Sequence, residues 1–348
     1  MKKKKTLPAD FEEILERGDI AEIREILEGC EIDAHKPYSK QTALFYHELP
    51  EEIIRYLVEE RGVDINQVSE HGNTPLSEHA FFHPERVPLF LELGADINYF
   101  EEHGSAPIYE AANFHRPESV KALLEHGANS MVVCGWMKDT PMECTLKSCR
   151  PADISDTAVI AEMFLDKGVP ITEEMREEVT RIGKDFEFYR ADFNPDYLEE
   201  TEQGLAKLYQ LFSVPPVPKR VEYDGVSPIV VHAEKWQDQH AELWDMLVPG
   251  KGHASTVQGE VIRIIGKLCY EILDNGGCNW DREYKKLVKA LQIYLKMGKA
   301  ADKEAIRLAK KISSRSTEDE LYPLNRYCVE WVLANPDPIP LDSVNYRR

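Results

Sequence analysis

Apolar residues recur at helical intervals over most of the chain, and few stretches alternate as strands do. In TEEMREEVTRIGKDFEFYR, Met175, Val179, Ile182, Phe186 and Tyr189 fall on one face, with Thr172 placed to cap the helix. DYLEETEQGLAKLYQLF follows with Leu198, Leu205, Leu208 and Leu211. Pro215, Pro216, Pro218 and Pro228 then forbid a continuous helix, and the apolar residues among them favour a strap packed on a surface over a free linker. Helical stripes return in AEKWQDQHAELWDML, STVQGEVIRIIGKLCYEILDNGG, NWDREYKKLVKALQIYLKMG, KEAIRLAKKIS and DELYPLNRYCVEWVLANP. The pattern predicts an all-α protein. Its parts are an array over 9–172, a helical cap over 173–212, a proline-rich connector over 213–228 and a C-terminal helical domain over 229–336.

The first half repeats itself. GVDIN, GADIN, GANSM and GVPIT begin at Gly62, Gly94, Gly127 and Gly168, at intervals of 32, 33 and 41 residues. TALF, TPLS, APIY and TPME begin at Thr42, Thr74, Ala106 and Thr140, at intervals of 32, 32 and 34. Two registers with one period resemble the ankyrin repeat, a turn followed by two antiparallel helices. GDIAEIREILEGCEID supplies the second half of an earlier unit, giving five units. SCRPADISDTA is expected to bulge between the helices of the last. Leu76, Ile108 and Met142 should point into the core, and the four glycines should end second helices in the left-handed conformation. The chain departs from the family where the T-P-L-H histidine is replaced by Phe45, Ser77, Tyr109 and Glu143.

Charge changes the picture by its distribution. The net charge is −20. Residues 1–171 hold 32 acidic and 17 basic side chains, whereas 282–315 hold eleven basic and three acidic. An acidic array should attract a basic partner and repel nucleic acid and anionic membrane. No apolar run is long enough to span a membrane. Lys2 to Lys5 read as a frayed terminus without the apolar run of an export signal. Seven scattered cysteines, with no C-x-x-C pair, point to reduced thiols and a cytoplasmic setting. They offer no zinc spacing, and no metal or cofactor is expected.

Ankyrin resemblance implies binding through the concave face and turn tips, without catalysis. In register, those positions are Tyr46, Glu78 and Glu110, flanked by Glu70, His71, Glu102 and His103. The partner expected is a basic protein. A regulator or immunity protein neutralising a basic toxin or nuclease is the narrower alternative. The sequence lacks G-x-S-x-G, H-E-x-x-H and a phosphate loop. The remaining enzymatic reading rests on an anion site built from Lys251, His253, Gln258, Glu260 and Arg263 at a helix start. The bland alternative makes Glu260 and Arg263 an exposed pair.

Overall fold

The computed structural model describes residues 3–101 and 104–348. It divides into two compact units. One runs from the N terminus to Phe186 and adds Asn194–Val217; the other is Glu187–Phe193 with Pro218–Arg348.

The first unit is a stack of helix pairs. α1 (Phe11–Arg17) and α2 (Ile20–Glu28) form a complete leading pair. β1 (Lys4–Thr6) pairs in parallel with β2 (Cys30–His35), so Lys4 and Lys5 are strand where the sequence suggested fraying; Lys2 lies outside the described residues. The β1 backbone finds partners in the exit strand of the first pair, an interaction no local pattern reveals. The second pair opens on a single 3-10 turn, Ala43–Phe45, and continues as α3 (Glu51–Arg55). The later pairs are α4 (Pro75–Phe82) with α5 (Val87–Glu92), α6 (Pro107–Asn113) with α7 (Pro117–Glu125), and α8 (Pro141–Ser148) with α9 (Ile154–Asp166). Two longer helices, α10 (Glu173–Tyr189) and α11 (Pro195–Phe212), follow.

The two opening threonine-proline pairs differ. Thr140 forms a capping box with Glu143, its hydroxyl accepting from the Glu143 N–H. Thr74 makes no such bond; its Oγ1 lies 3.4 Å from Ser77 Oγ. Gly62, Gly94, Gly127 and Gly168 all have positive φ after second helices. The expected bulge in the last pair is absent. Within SCRPADISDTA, Ser148 ends α8, Pro151–Asp153 form a 3-10 turn, and Ile154–Ala158 lengthen α9 at its N-terminal end, burying Ile154, Thr157 and Ala158. These residues continue the helical stripe of Ile160, Ala161 and Phe164, so the insertion is better buried as helix than exposed as loop. α11 packs against α9, and at Gly204 a Cβ would meet the Ser155 Cα at 2.9 Å.

Hydrogen bonds join successive pairs. The N–H groups of Asp96 and Asn129 donate to the side-chain carbonyls of Asn66 and Asn98, each at 2.8 Å. This explains the D-I-N phrases: the asparagine of one unit caps the turn of the next. His79 is fully buried, with Nε2 3.1 Å from the Leu44 carbonyl and Nδ1 3.3 Å from Arg86 Nη1. Arg86 also donates to the carbonyls of His47 (2.7 Å) and Leu49 (3.1 Å). Leu76, Ile108 and Met142 are buried as expected.

In the second unit, α13 (Val257–Cys269) is the central helix, following α12 (Trp236–Leu247). Its Val261, Ile262, Ile264, Ile265 and Leu268 are buried on every side. α14 (Arg282–Tyr294), α15 (Lys303–Lys311) and α16 (Glu318–Ala334) complete the bundle. From Pro218 on, the proline-rich segment lies against this bundle as a strap. Arg220 donates to the carbonyls of Phe188, Asp245 and Val248, and its guanidinium sits over the Phe188 ring. The residues after α16 pack back onto the start of α13, with Val257 N–H donating to the Ile339 carbonyl and Leu341 N–H to that of Ser255.

Replacing Leu76 with Ala should destabilise the protein by about 2–5 kcal/mol, because neighbouring pairs cannot close the cavity. A shift in the chemical-denaturation midpoint worth less than about 1 kcal/mol would place this side chain outside the core.

Burial, with the Arg86 charge beside it, lowers the His79 pKa to about 3 from its ordinary value of 6.5. Between these values the unfolded chain binds the proton more readily, so His79 makes stability fall as pH drops from 6.5 towards 3. Urea midpoints measured across this window should decline for the native protein and decline less for His79→Gln.

Candidate functional site

Among the described residues, turns project from the first unit at Lys36–Gln41, Ser69–Asn73 and Cys134–Asp139. Adjacent turns touch closely in the middle of the array. Gly72 has φ +81°, and a Cβ there would lie 2.9 Å from the Gly104 Cα. The Glu-His-Gly phrase is therefore explained at its glycine, where two backbones meet.

The residues singled out from the sequence divide into three groups. Tyr46 and Glu70 serve the array itself. Tyr46 is only 8% exposed, its ring edge-on to Phe11 with the Lys36 ammonium above it. It cannot project as an interface anchor, because the short 3-10 turn before it leaves the ring under the leading helix pair. The Glu70 carboxylate accepts from the Ser39 hydroxyl at 2.9 Å and the Lys40 N–H at 3.1 Å, tying two turns together. Glu102 and His103 lie outside the described residues. His71 is exposed on its turn.

Glu78 and Glu110 are different. They occupy equivalent places on α4 and α6, which pack together, and both are half-buried. Burial and the neighbouring Glu110 charge push the Glu78 carboxyl above the usual range. Burial also raises Glu110, against a lowering hydrogen bond from Ser105. Neither carboxylate has an ion-pair partner among the described residues. Two desolvated like charges without a cation oppose folding.

The exposed aromatic residues were missed by the repeat register, which aligns helices better than turn tips. Trp136 is 95% exposed and Met137 65%, at the tip of the last turn; Tyr38 stands clear of the first. Phe82 and Phe114 are about half exposed at the ends of first helices. Glycine at 135, with positive φ and the Tyr109 ring against it, gives the Trp136 turn its shape.

In the second unit, the suggested anion site is not formed. Glu260 and Arg263 are 0% and 1% exposed and bond to each other, with Arg263 Nε 2.8 Å from Glu260 Oε2. The exposed pair expected on the bland reading is equally absent. Arg263 also donates to the Arg348 carbonyl and lies 2.9 Å from His253 Nδ1. Burial disfavours the Glu260 charge, but Arg263, the Ala254 N–H and the Tyr346 hydroxyl outweigh it and lower its pKa. Gln258 bonds to the carbonyls of Asn335 and Asp337 and to the Ile339 N–H. Lys251 stays exposed on its loop. The cluster thus clamps the C-terminal residues to α13; the guanidinium Nε and Nη2 are occupied within it, and Nη1 is buried without a hydrogen-bond partner. No group of three or more potential metal-ligating side chains occurs among the described residues.

Helix pairs of one period, asparagines that cap the next turn and stacked projecting tips define a repeat-protein array. Residues 52–134 match the family model for ankyrin repeats (3 copies), and this part of the chain is an ankyrin-repeat segment. The match does not reach the C-terminal half. A comparison with curated proteins finds no matching relative. Among the described residues, no helix is long and apolar enough to cross a membrane.

Because their ionised forms are disfavoured, Glu78→Gln and Glu110→Gln should each stabilise the protein at neutral pH. The sign follows from linkage: a raised carboxyl pKa means the folded state holds its proton longer, so stability falls as pH rises through the shifted range. Melting curves at pH 7 should show the gain. It should shrink at pH 4, where the native carboxyls are largely neutral already; an unchanged gain would point to packing.

Proposed function

We propose that the ankyrin array holds a basic protein partner through its concave face and turn tips. Ankyrin repeats as a class support protein–protein interaction. The observation that favours a basic partner here is the pair Glu78 and Glu110, half-buried on adjacent units, raised in pKa and without an ion-pair partner among the described residues. A lysine or arginine from a partner would relieve both the desolvation and the mutual repulsion. Trp136 and Met137 supply the apolar anchor that Tyr46 does not. The surrounding excess of acidic residues would draw such a partner in from a distance.

Affinity capture by the intact protein from its own cells identifies the partner, and stopped-flow association rates then test the surface. Glu78→Lys with Glu110→Lys should slow association strongly, as should high salt on the native protein. Trp136→Ala should instead speed dissociation, by about thirtyfold if it is an anchor worth about 2 kcal/mol. A partner whose association rate ignores the double reversal binds elsewhere, and the reading then fails.

A further inference from the structure

The outward face of α14 carries three cations with no carboxylate in ion-pair range among the described residues. Arg282, Lys285 and Lys289 are all exposed and sit at intervals of three and four, so their heads line up along the helix. Their neighbours show that carboxylates are close enough for others. Lys286 pairs with Glu283 at 2.6 Å, and Arg348 with Asp281 at 2.9 Å. Like charges in a row on one helix repel, and no carboxylate among the described residues pairs with any of the three.

These cations rim a groove of about 580 Å³ whose opposite wall is the C-terminal segment around Val344. Ile293, which is 60% exposed, and Tyr294 add apolar surface inside it. Both walls are held in place. Leu287 and Leu291 bury the inner face of α14. Tyr346, 4% exposed, donates to Glu260 at 2.8 Å and lies 3.0 Å from the Tyr294 hydroxyl. The Asn345 carbonyl accepts from Lys286, and the Arg347 N–H donates to Glu283. A walled groove of this size falls in the range of small-molecule sites, which span about 300–1,000 Å³. Single-stranded nucleic acid would need free aromatic platforms for its bases. The nearby Tyr284 is not free: Trp280 stacks on it, and the Arg348 guanidinium sits over its ring.

We propose that this groove binds an organic polyphosphate, with phosphates on Arg282, Lys285 and Lys289 and the organic part against Ile293 and Val344. The site is independent of the ankyrin surface.

Isothermal titration of the full-length protein tests it with three probes: adenosine triphosphate, inorganic tripolyphosphate and a short oligothymidylate. Adenosine triphosphate should bind at a single site, more tightly than tripolyphosphate because it also covers Ile293. Lys285→Ala and Lys289→Ala should each weaken it about tenfold, as expected for loss of a hydrogen bond between charged groups. Ile293→Ser should weaken adenosine triphosphate and leave tripolyphosphate unchanged. Lys310→Ala with Lys311→Ala removes charge away from the groove and should change neither. All these side chains except Ile293 are exposed cations, and circular dichroism checks the folding of each variant. The proposal is overturned if neither phosphate compound binds at millimolar concentration, or if the Lys310/Lys311 variant weakens binding as much as the groove variants. It is also overturned if only oligothymidylate binds, with affinity rising with its length.

Discussion

No helix pair in the first unit can bury both of its faces, and the array depends on this constraint. Each pair contributes a few fully buried side chains, such as Leu76, Ile108 or Met142, and its neighbours close the space around them. Polar groups then set the spacing. Asn66 and Asn98 cap the turn of the following unit, and Arg86 with His79 reaches back to carbonyls of the preceding one. Gly72 and Gly104 let the projecting turns approach to backbone contact. Apolar closure supplies the energy; these directional bonds choose one register among the sliding alternatives.

Glutamate serves opposite ends in the two units. Glu260 is more deeply buried than Glu78 or Glu110, yet its pKa is lowered while theirs are raised. The difference is the partner. Arg263, a backbone N–H and a tyrosine hydroxyl satisfy Glu260, so its charge helps fasten the C-terminal segment to α13. Removing one member of such a pair costs about 3–5 kcal/mol, because the other is left charged and buried. Glu78 has no such compensation and Glu110 only a hydrogen bond from Ser105, so burial prevails and both work against the fold that carries them. Residues that oppose stability without serving packing are reasonable places to look for binding.

The same contrast applies to cations. Arg86, Arg220 and Arg263 are consumed by carbonyls and carboxylates of their own unit. Arg282, Lys285 and Lys289 share a short helix face and find no carboxylate among the described residues. Other exposed lysines and arginines also lack an ion pair among the described residues; what sets these three apart is the groove that they rim together.

The ankyrin segment was legible in the sequence because its constraints are local and repeated. Glycines 62, 94, 127 and 168 after second helices, prolines 75, 107 and 141 at first-helix starts and the D-I-N phrases ending at Asn66 and Asn98 recur at nearly one period, apart from the longer last interval. Each reports a backbone requirement met within a few residues. The helical stripes of α10 to α16 were legible for the same reason, since an apolar face needs only a period. What the tertiary structure decided were the pairings between distant positions. Lys4–Thr6 became a strand because Cys30–His35 lies beside it, and the last insertion became helix because α11 covers it. Tyr46 was turned inward by a contact with Phe11, and Glu260 was buried with Arg263 by residues some 80 positions further on. The charges and apolar faces were written in the chain; which of them would be covered depended on long-range packing, which no local period encodes.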